Sequence, residues 1–180
     1  MKRIIVIAGA VLALLCSCAM TPTISAVHDE SVPVEKSSLL IPGAGGEIIA
    51  YNGIPVKKMK GMLPGFLVPA GDTLLEWNAE YSEYGGYNTI NVYQFKNVLT
   101  RHTFNPNKQY FFWRWYIMEH HEEERFSYRI FGVQVYEWDL GDKIGKGDIE
   151  PNSKHFVGFV PYSNMEKQKV LWGKGGPILK

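Results

Sequence analysis

The sequence predicts an all-β fold, an antiparallel β-sandwich of about eight strands with little helix. Three observations predict it. Aromatic residues make up 13% of the 180-residue chain, with 10 Tyr, 9 Phe and 5 Trp. They gather with β-branched residues in extended-looking runs, the composition that suits a pleated, half-buried surface. Turn chemistry separates those runs, in Asn-Gly, Pro-Ala-Gly-Asp and Asn-Pro-Asn. No long stretch carries the 3.6-residue apolar period of an amphipathic helix.

The clearest hairpin is Glu47-Ile48-Ile49-Ala50-Tyr51, then Asn52-Gly53, then Ile54-Pro55-Val56. Asn-Gly accepts the two positive φ angles of a type I′ turn, whose twist matches that of paired strands. Pro55 has no N–H to give a neighbour, so its strand is short or lies at an edge. GFLVPAGD (65–72) supplies a short apolar strand and a turn. TLLEWNAEY (73–81) alternates: Leu75, Trp77, Ala79 and Tyr81 take one face, and Glu76, Asn78 and Glu80 the other. That is a strand with one buried and one solvated side.

SEYGGYN (82–88) reads as a loop, and TINVYQFKNVLTRHTF (89–104) as another strand or two. Asn105-Pro106-Asn107 turns the chain. KQYFFWRWYIM (108–118) is aromatic on both faces, as a central strand requires. EHHEEER (119–125) interrupts it, and FSYRIFGVQVYEWD (126–139) resumes. GDKIGKGD (141–148) is a glycine-rich loop and HFVGFVPY (155–162) a last strand. Residues 165–172 fit either a short helix or a further strand, and GKGGPILK (173–180) reads as a polar tail. Trp77, Phe111, Trp113, Trp115 and Trp138 fall at strand positions and are expected in the core.

The N-terminus carries an address. Lys2 and Arg3 precede residues 4–15, which are apolar apart from Gly9. This is the charged region and short apolar region of a secretory signal peptide. It is too short for a membrane-spanning helix, which needs about 20 residues. Leu15-Cys16-Ser17-Cys18 resembles the lipobox of bacterial lipoproteins, with Leu at −3, a small residue at −1 and Cys at +1. Cys16 fits less well, because bulky Leu15 would then hold the −1 position.

The resemblance implies cleavage before Cys18, a diacylglycerol on its thiol and an acyl chain such as palmitate on its new amine. Two or more chains make stable anchoring, where one is marginal. Ala19 resembles the default outer-membrane sorting pattern, so the expected location is the bacterial cell envelope, lipid-anchored at the outer membrane. The organisation that follows is a signal peptide over 1–17, a lipidated Cys18 with a flexible tether over 18–38, and one β-sandwich domain over 39–180. The tether stretch is rich in Thr, Ser, Pro and charge.

Composition narrows the partners. The formal net charge is +1, and it becomes −1 once Lys2 and Arg3 leave with the signal. A near-neutral domain lacks the basic face that nucleic acid requires. The chain has 2 cysteines; one is discarded and the other modified, so no disulfide holds the domain and its core must do so alone.

The order YNGIPV, LVPAGDTLLEW, FNPNKQYFFWRWY also resembles PEGA-like small sandwich domains of bacterial lipoproteins, over residues 47–116. There an Asn-Gly hairpin precedes a Pro-x-Gly turn, and Asn/Gly-Lys-x-Tyr enters a later strand. The resemblance implies an exported binding or scaffolding module without known catalysis. The resemblance departs in length and does not extend to the stretch beyond Glu119.

Catalytic constellations are weak. In EHHEEER, His120, His121 and Glu122, Glu123 and Glu124 are residue types that bind zinc or move protons. Adjacent residues of an extended chain point to opposite faces, however, and the HExxH helix spacing is absent. A charged hairpin tip that hinders edge pairing is the simpler reading. Asp139, Asp142 and Asp148 lack the spacing of a calcium loop. No Gly-x-Ser-x-Gly elbow or phosphate-binding loop occurs. The expectation is therefore no catalytic residue, no metal and no cofactor.

Tyr81, Tyr84, Tyr87 and Tyr93 flank the 82–88 loop, where tyrosines favour protein interfaces and stack on sugar rings. They form the expected binding surface, for a protein or glycan partner. The expected function is a non-catalytic, membrane-anchored binding or scaffolding module. A structural subunit of an envelope assembly is the alternative, and a metal-dependent hydrolase built on residues 120–124 a third.

Overall fold

Alternation and turn chemistry carry through to the three-dimensional fold. In a computed structural model, residues 23–27, 32–56, 64–86, 89–173 and 176–178 are described. Among them are ten strands of five residues or more, two shorter ones and two single-turn 3-10 segments, an all-β chain. The Cys18 region lies outside the described residues.

Eight strands make one sheet. Its path runs β1 (Thr23–Val27), β5 (Pro64–Pro69), β2 (Ser37–Pro42), β8 (Lys108–His121), β9 (Phe126–Asp139), β11 (Gln168–Gly173) and β12 (Gly176–Ile178). β10 (Phe156–Pro161) pairs the half of β9 that β11 leaves free. The second sheet runs β4 (Ile54–Pro55), β3 (Gly46–Tyr51), β6 (Gly71–Gly86) and β7 (Thr89–Phe104).

The Asn-Gly hairpin forms as expected. Asn52 and Gly53 sit at φ 47° and 79°, and Tyr51 pairs with Ile54. Pro55 leaves β4 two residues long at the sheet edge. The turn at 105–107 also forms, with Asn107 at φ 59° donating its N–H to the Ser37 carbonyl.

Several expectations are corrected. The larger sheet is mixed, because β1 runs parallel to β5 and β2 parallel to β8. Parallel neighbours need a long crossover, and the β3–β7 segment supplies it for β2 and β8, with β3, β4, β6 and β7 building the other sheet and β5 returning to pair with β2. Residues 82–86 are strand: β6 continues through Glu83↔Asn91, Tyr84↔Ile90 and Gly86↔Thr89. Cross-strand pairing there outweighs the turn propensity of the glycines, with a bulge between Tyr84 and Gly86. Residues 168–173 settle as strand β11, and residues 176–178 of the expected tail pair with it as β12. In the stretch read as tether, Thr23–Val27 forms the edge strand β1, and Ser37 and Ser38 are buried.

Both sheets contribute to one buried cluster. Trp77 of β6 stacks on Phe112 of β8 at 5.6 Å, and Phe95 of β7 meets Phe131 of β9 at 4.7 Å. Leu40, Val68, Leu75, Tyr110 and Val135 fill the same cluster. A second cluster lies on the opposite face of β8 and β9. There Phe111, Tyr136 and Trp138 are covered by Leu140, Ile144 and Ile149 from the 140–149 loop. That loop is why an aromatic-on-both-faces strand is stable. Trp115 lies beyond its cover and is 42% exposed, unlike the other strand tryptophans expected in the core.

Candidate functional site

A bulge in the smaller sheet borders a concavity among the described residues. Trp77 pairs with Val98 and Ala79 with Phe95, so Asn78 faces two residues, Lys96 and Asn97. Asn97 adopts φ 54°, a left-handed conformation that asparagine tolerates better than branched residues. An extra residue on one strand bends it and sharpens the local twist. β3 begins at this level, with Gly46 opposite Ala79, and the Gly45 carbonyl accepts the Glu80 N–H at 2.9 Å.

The result is a groove of about 440 Å³ across β3, β6 and β7. Two carboxylates line it, each held by an amide on a neighbouring strand. Asn78 Nδ2 donates to Glu47 Oε2 at 3.3 Å, and Gln94 Nε2 donates to Glu80 Oε2 at 3.0 Å. Lys96 adds an ammonium, while Ile48 and Phe95 border the groove with side chains packed into the inter-sheet cluster. Beneath Gly45 lies the Arg114 guanidinium, so near that a Cβ at Gly45 would fall 2.8 Å from Arg114 Cζ. Burial holds the Arg114 pKa below its ordinary value, and its Nε and Nη1 are buried without a hydrogen-bond partner.

The four expected tyrosines do not share one surface. Tyr81 and Tyr93 face each other across the β6–β7 pair and turn inward, their rings 5.9 Å apart and packed on Phe131. Burial first, and Tyr116 next, raise the Tyr81 phenol pKa; burial and the Glu83 hydrogen bond raise that of Tyr93. Tyr84 points to the outer face and is 72% exposed. Tyr87 lies outside the described residues.

Between the sheets, Arg129 joins this tyrosine layer. Its Nη1 lies 3.1 Å from Glu83 Oε1 and 3.1 Å from the Tyr93 hydroxyl, which itself donates to Glu83 at 2.8 Å. The guanidinium also lies 4.6 Å above the Tyr116 ring. Desolvation lowers its pKa, but the Tyr93 hydrogen bond and the Glu83 charge outweigh that and raise it.

The remaining polar clusters are dispersed. His120 Nδ1 meets Ser127 Oγ at 2.9 Å, whereas His121 Nε2 meets Glu119 at 3.2 Å and stacks on Phe126. Asp139 pairs with Lys108, Asp148 accepts the Gly145 N–H, and the Asp142 carbonyl accepts from Gln109. Among the described residues, no three His, Cys, Asp or Glu side chains are placed to hold a metal.

The groove residues were not singled out by the sequence. Asn78 and Glu80 read there only as a solvated strand side, and Glu47 and Gln94 as unremarkable polar positions. The available signal was the Lys96-Asn97 pair interrupting the alternation of residues 89–104, the mark of a bulge. The chain matches no protein-family model, no curated protein and no solved structure.

Proposed function

We propose that this protein is a non-catalytic binding module of the bacterial envelope, anchored by lipid on Cys18, whose groove across β3, β6 and β7 takes a glycan segment. The groove is the observation that carries the reading. Paired carboxylates and primary amides, Glu47 with Asn78 and Glu80 with Gln94, offer acceptors and donors side by side. That is the set that neutral hydroxyl groups require.

Titration of the purified full-length protein with a panel of envelope and host oligosaccharides tests it. Saturable binding that weakens about tenfold or more in Gln94→Ala and Glu80→Gln supports the groove. Binding of no oligosaccharide at millimolar concentration, or binding that ignores both substitutions, overturns it. The anchor has its own test: Cys18→Ser should abolish fatty-acid labelling and detergent partitioning, and labelling that persists removes the anchor from the proposal.

A further inference from the structure

Strand register fixes the direction from which the N-terminal chain enters the domain. β1 runs parallel to β5, β5 antiparallel to β2, and β2 parallel to β8, so β1 points opposite to β8. Thr23 lies beside Pro64, and continuing the register across β5 and β2 brings it level with Phe112 of β8. The chain before Thr23 therefore arrives from the end at which β8 finishes in His121. The β6–β7 hairpin points to that same end. Trp77 of β6 stacks on Phe112, and Glu83 further along pairs with Arg129, which is two residues from the partner of Tyr116.

The hairpin end has an apolar outer face. Tyr84, Ile90 and Val92 are 72%, 68% and 54% exposed, and Tyr84 lies opposite Ile90 across the strand pair. Among residues 82–95 the one charged side chain is Glu83, which turns inward to Arg129. Charge returns to the outer face at Glu80 and Lys96, beside the groove.

We propose that this end of the β6–β7 hairpin seats in the surface of the lipid bilayer that holds the protein. The inference rests on the lipid anchor on Cys18 proposed above, and chain length is what commits it to lipid. The five residues from Cys18 to Thr23 span at most about 18 Å when fully extended. Tyr84 and Ile90 lie about seven residues beyond the level of Thr23, about 23 Å along the strand direction. With the strands directed at the bilayer, the hairpin end reaches past the farthest level that Cys18 can occupy. Apolar faces at a membrane surface are buried about 5–10 Å into the headgroup boundary, where tyrosine is favoured. Any other occupant would have to displace a surface that the short tether keeps in place. The neighbouring β8–β9 tip carries Glu122, Glu123 and Glu124, all exposed. The domain therefore leans toward the β6–β7 side, which leaves those carboxylates in water.

The test uses the full-length chain with an environment-sensitive, thiol-reactive fluorophore at Ile90→Cys. Lys143→Cys is the control, in the loop after Asp139, whose partner Lys108 begins β8 at the opposite end. Both positions are exposed, so neither substitution disturbs the fold. Acylation blocks the Cys18 thiol and cleavage removes Cys16, so the introduced cysteine takes the label. Each protein is reconstituted into phosphatidylcholine vesicles with and without lipid that carries a quencher on its acyl chain. Fluorescence at the Ile90 position should fall roughly twofold or more, and that at the Lys143 position should not change. No quenching at the Ile90 position, or equal quenching at both, overturns the proposal. Fatty-acid labelling of the same preparations separates the two readings. An acylated, vesicle-bound chain unquenched at the Ile90 position removes the docking alone, whereas a chain without an acyl group removes the anchor and the docking with it.

Discussion

Arg129 of β9 and Glu83 of β6 form an ion pair at 3.1 Å that joins the two sheets beyond their aromatic core. Their side chains are 7% and 17% exposed. A pair so enclosed adds little beyond what an apolar pair would provide, but removing one partner strands the other in a poor solvent. Arg129→Met should therefore destabilise the protein by about 3–5 kcal/mol, and Glu83→Gln by less, because the amide oxygen still accepts from Arg129 and Tyr93. Denaturant unfolding of both variants measures the difference. No loss in Glu83→Gln would mean that charge contributes nothing at this site, and a loss equal to that of Arg129→Met would mean that charge accounts for the whole effect.

His102 should make stability fall in mild acid. Burial among Phe104, Tyr110 and Phe112 holds its pKa below the ordinary 6.5, while the Glu137 charge opposes this more weakly. Its Nε2 is buried without a hydrogen-bond partner. As pH falls, the unfolded chain takes up this proton first, so the contribution is fully present above about pH 6.5 and is lost as pH drops toward the lower folded value. Melting temperatures recorded from about pH 7 to pH 5 should decline less steeply in His102→Phe than in the native chain.

Gly132→Ala should loosen β10. A Cβ at Gly132 would meet the Val160 carbonyl oxygen at 2.3 Å and Pro161 Cα at 2.8 Å, and both belong to backbone that cannot rotate aside. β10 must shift away from β9, at a cost of about 1–3 kcal/mol for an overpacked site. Hydrogen exchange should accelerate at the β10 amides before it does at β6 and β7.

Trp77→Ala should be among the most damaging single substitutions. The indole is 2% exposed and stacked on Phe112 where the two sheets meet. Truncation of a buried tryptophan costs about 3–5 kcal/mol. Calorimetry of this variant beside Trp115→Ala, whose ring is 42% exposed, should show a much smaller loss for the second.

Where local physics decides the outcome, the structure agrees with the sequence. Asn52-Gly53 turns because those residues tolerate positive φ, β4 is short because of Pro55, and Leu75, Trp77 and Ala79 are buried because period-two alternation leaves one apolar face. Agreement fails where a distant strand intervenes. The glycines at 85 and 86 read as a loop, yet β7 draws β6 straight through to Gly86. Tyr81, Tyr84 and Tyr93 look equivalent in sequence, but strand parity and the opposing sheet turn two inward and one outward.

By itself, then, the sequence determined an all-β chain, its principal turns and part of its core, because those follow from interactions within a few residues. Only the tertiary structure decided that the larger sheet is mixed and that Glu47, Asn78, Glu80 and Gln94 line one groove. Each of these depends on which strands become neighbours. For β2 and β8 that choice is made across five intervening strands, by packing that no local pattern records.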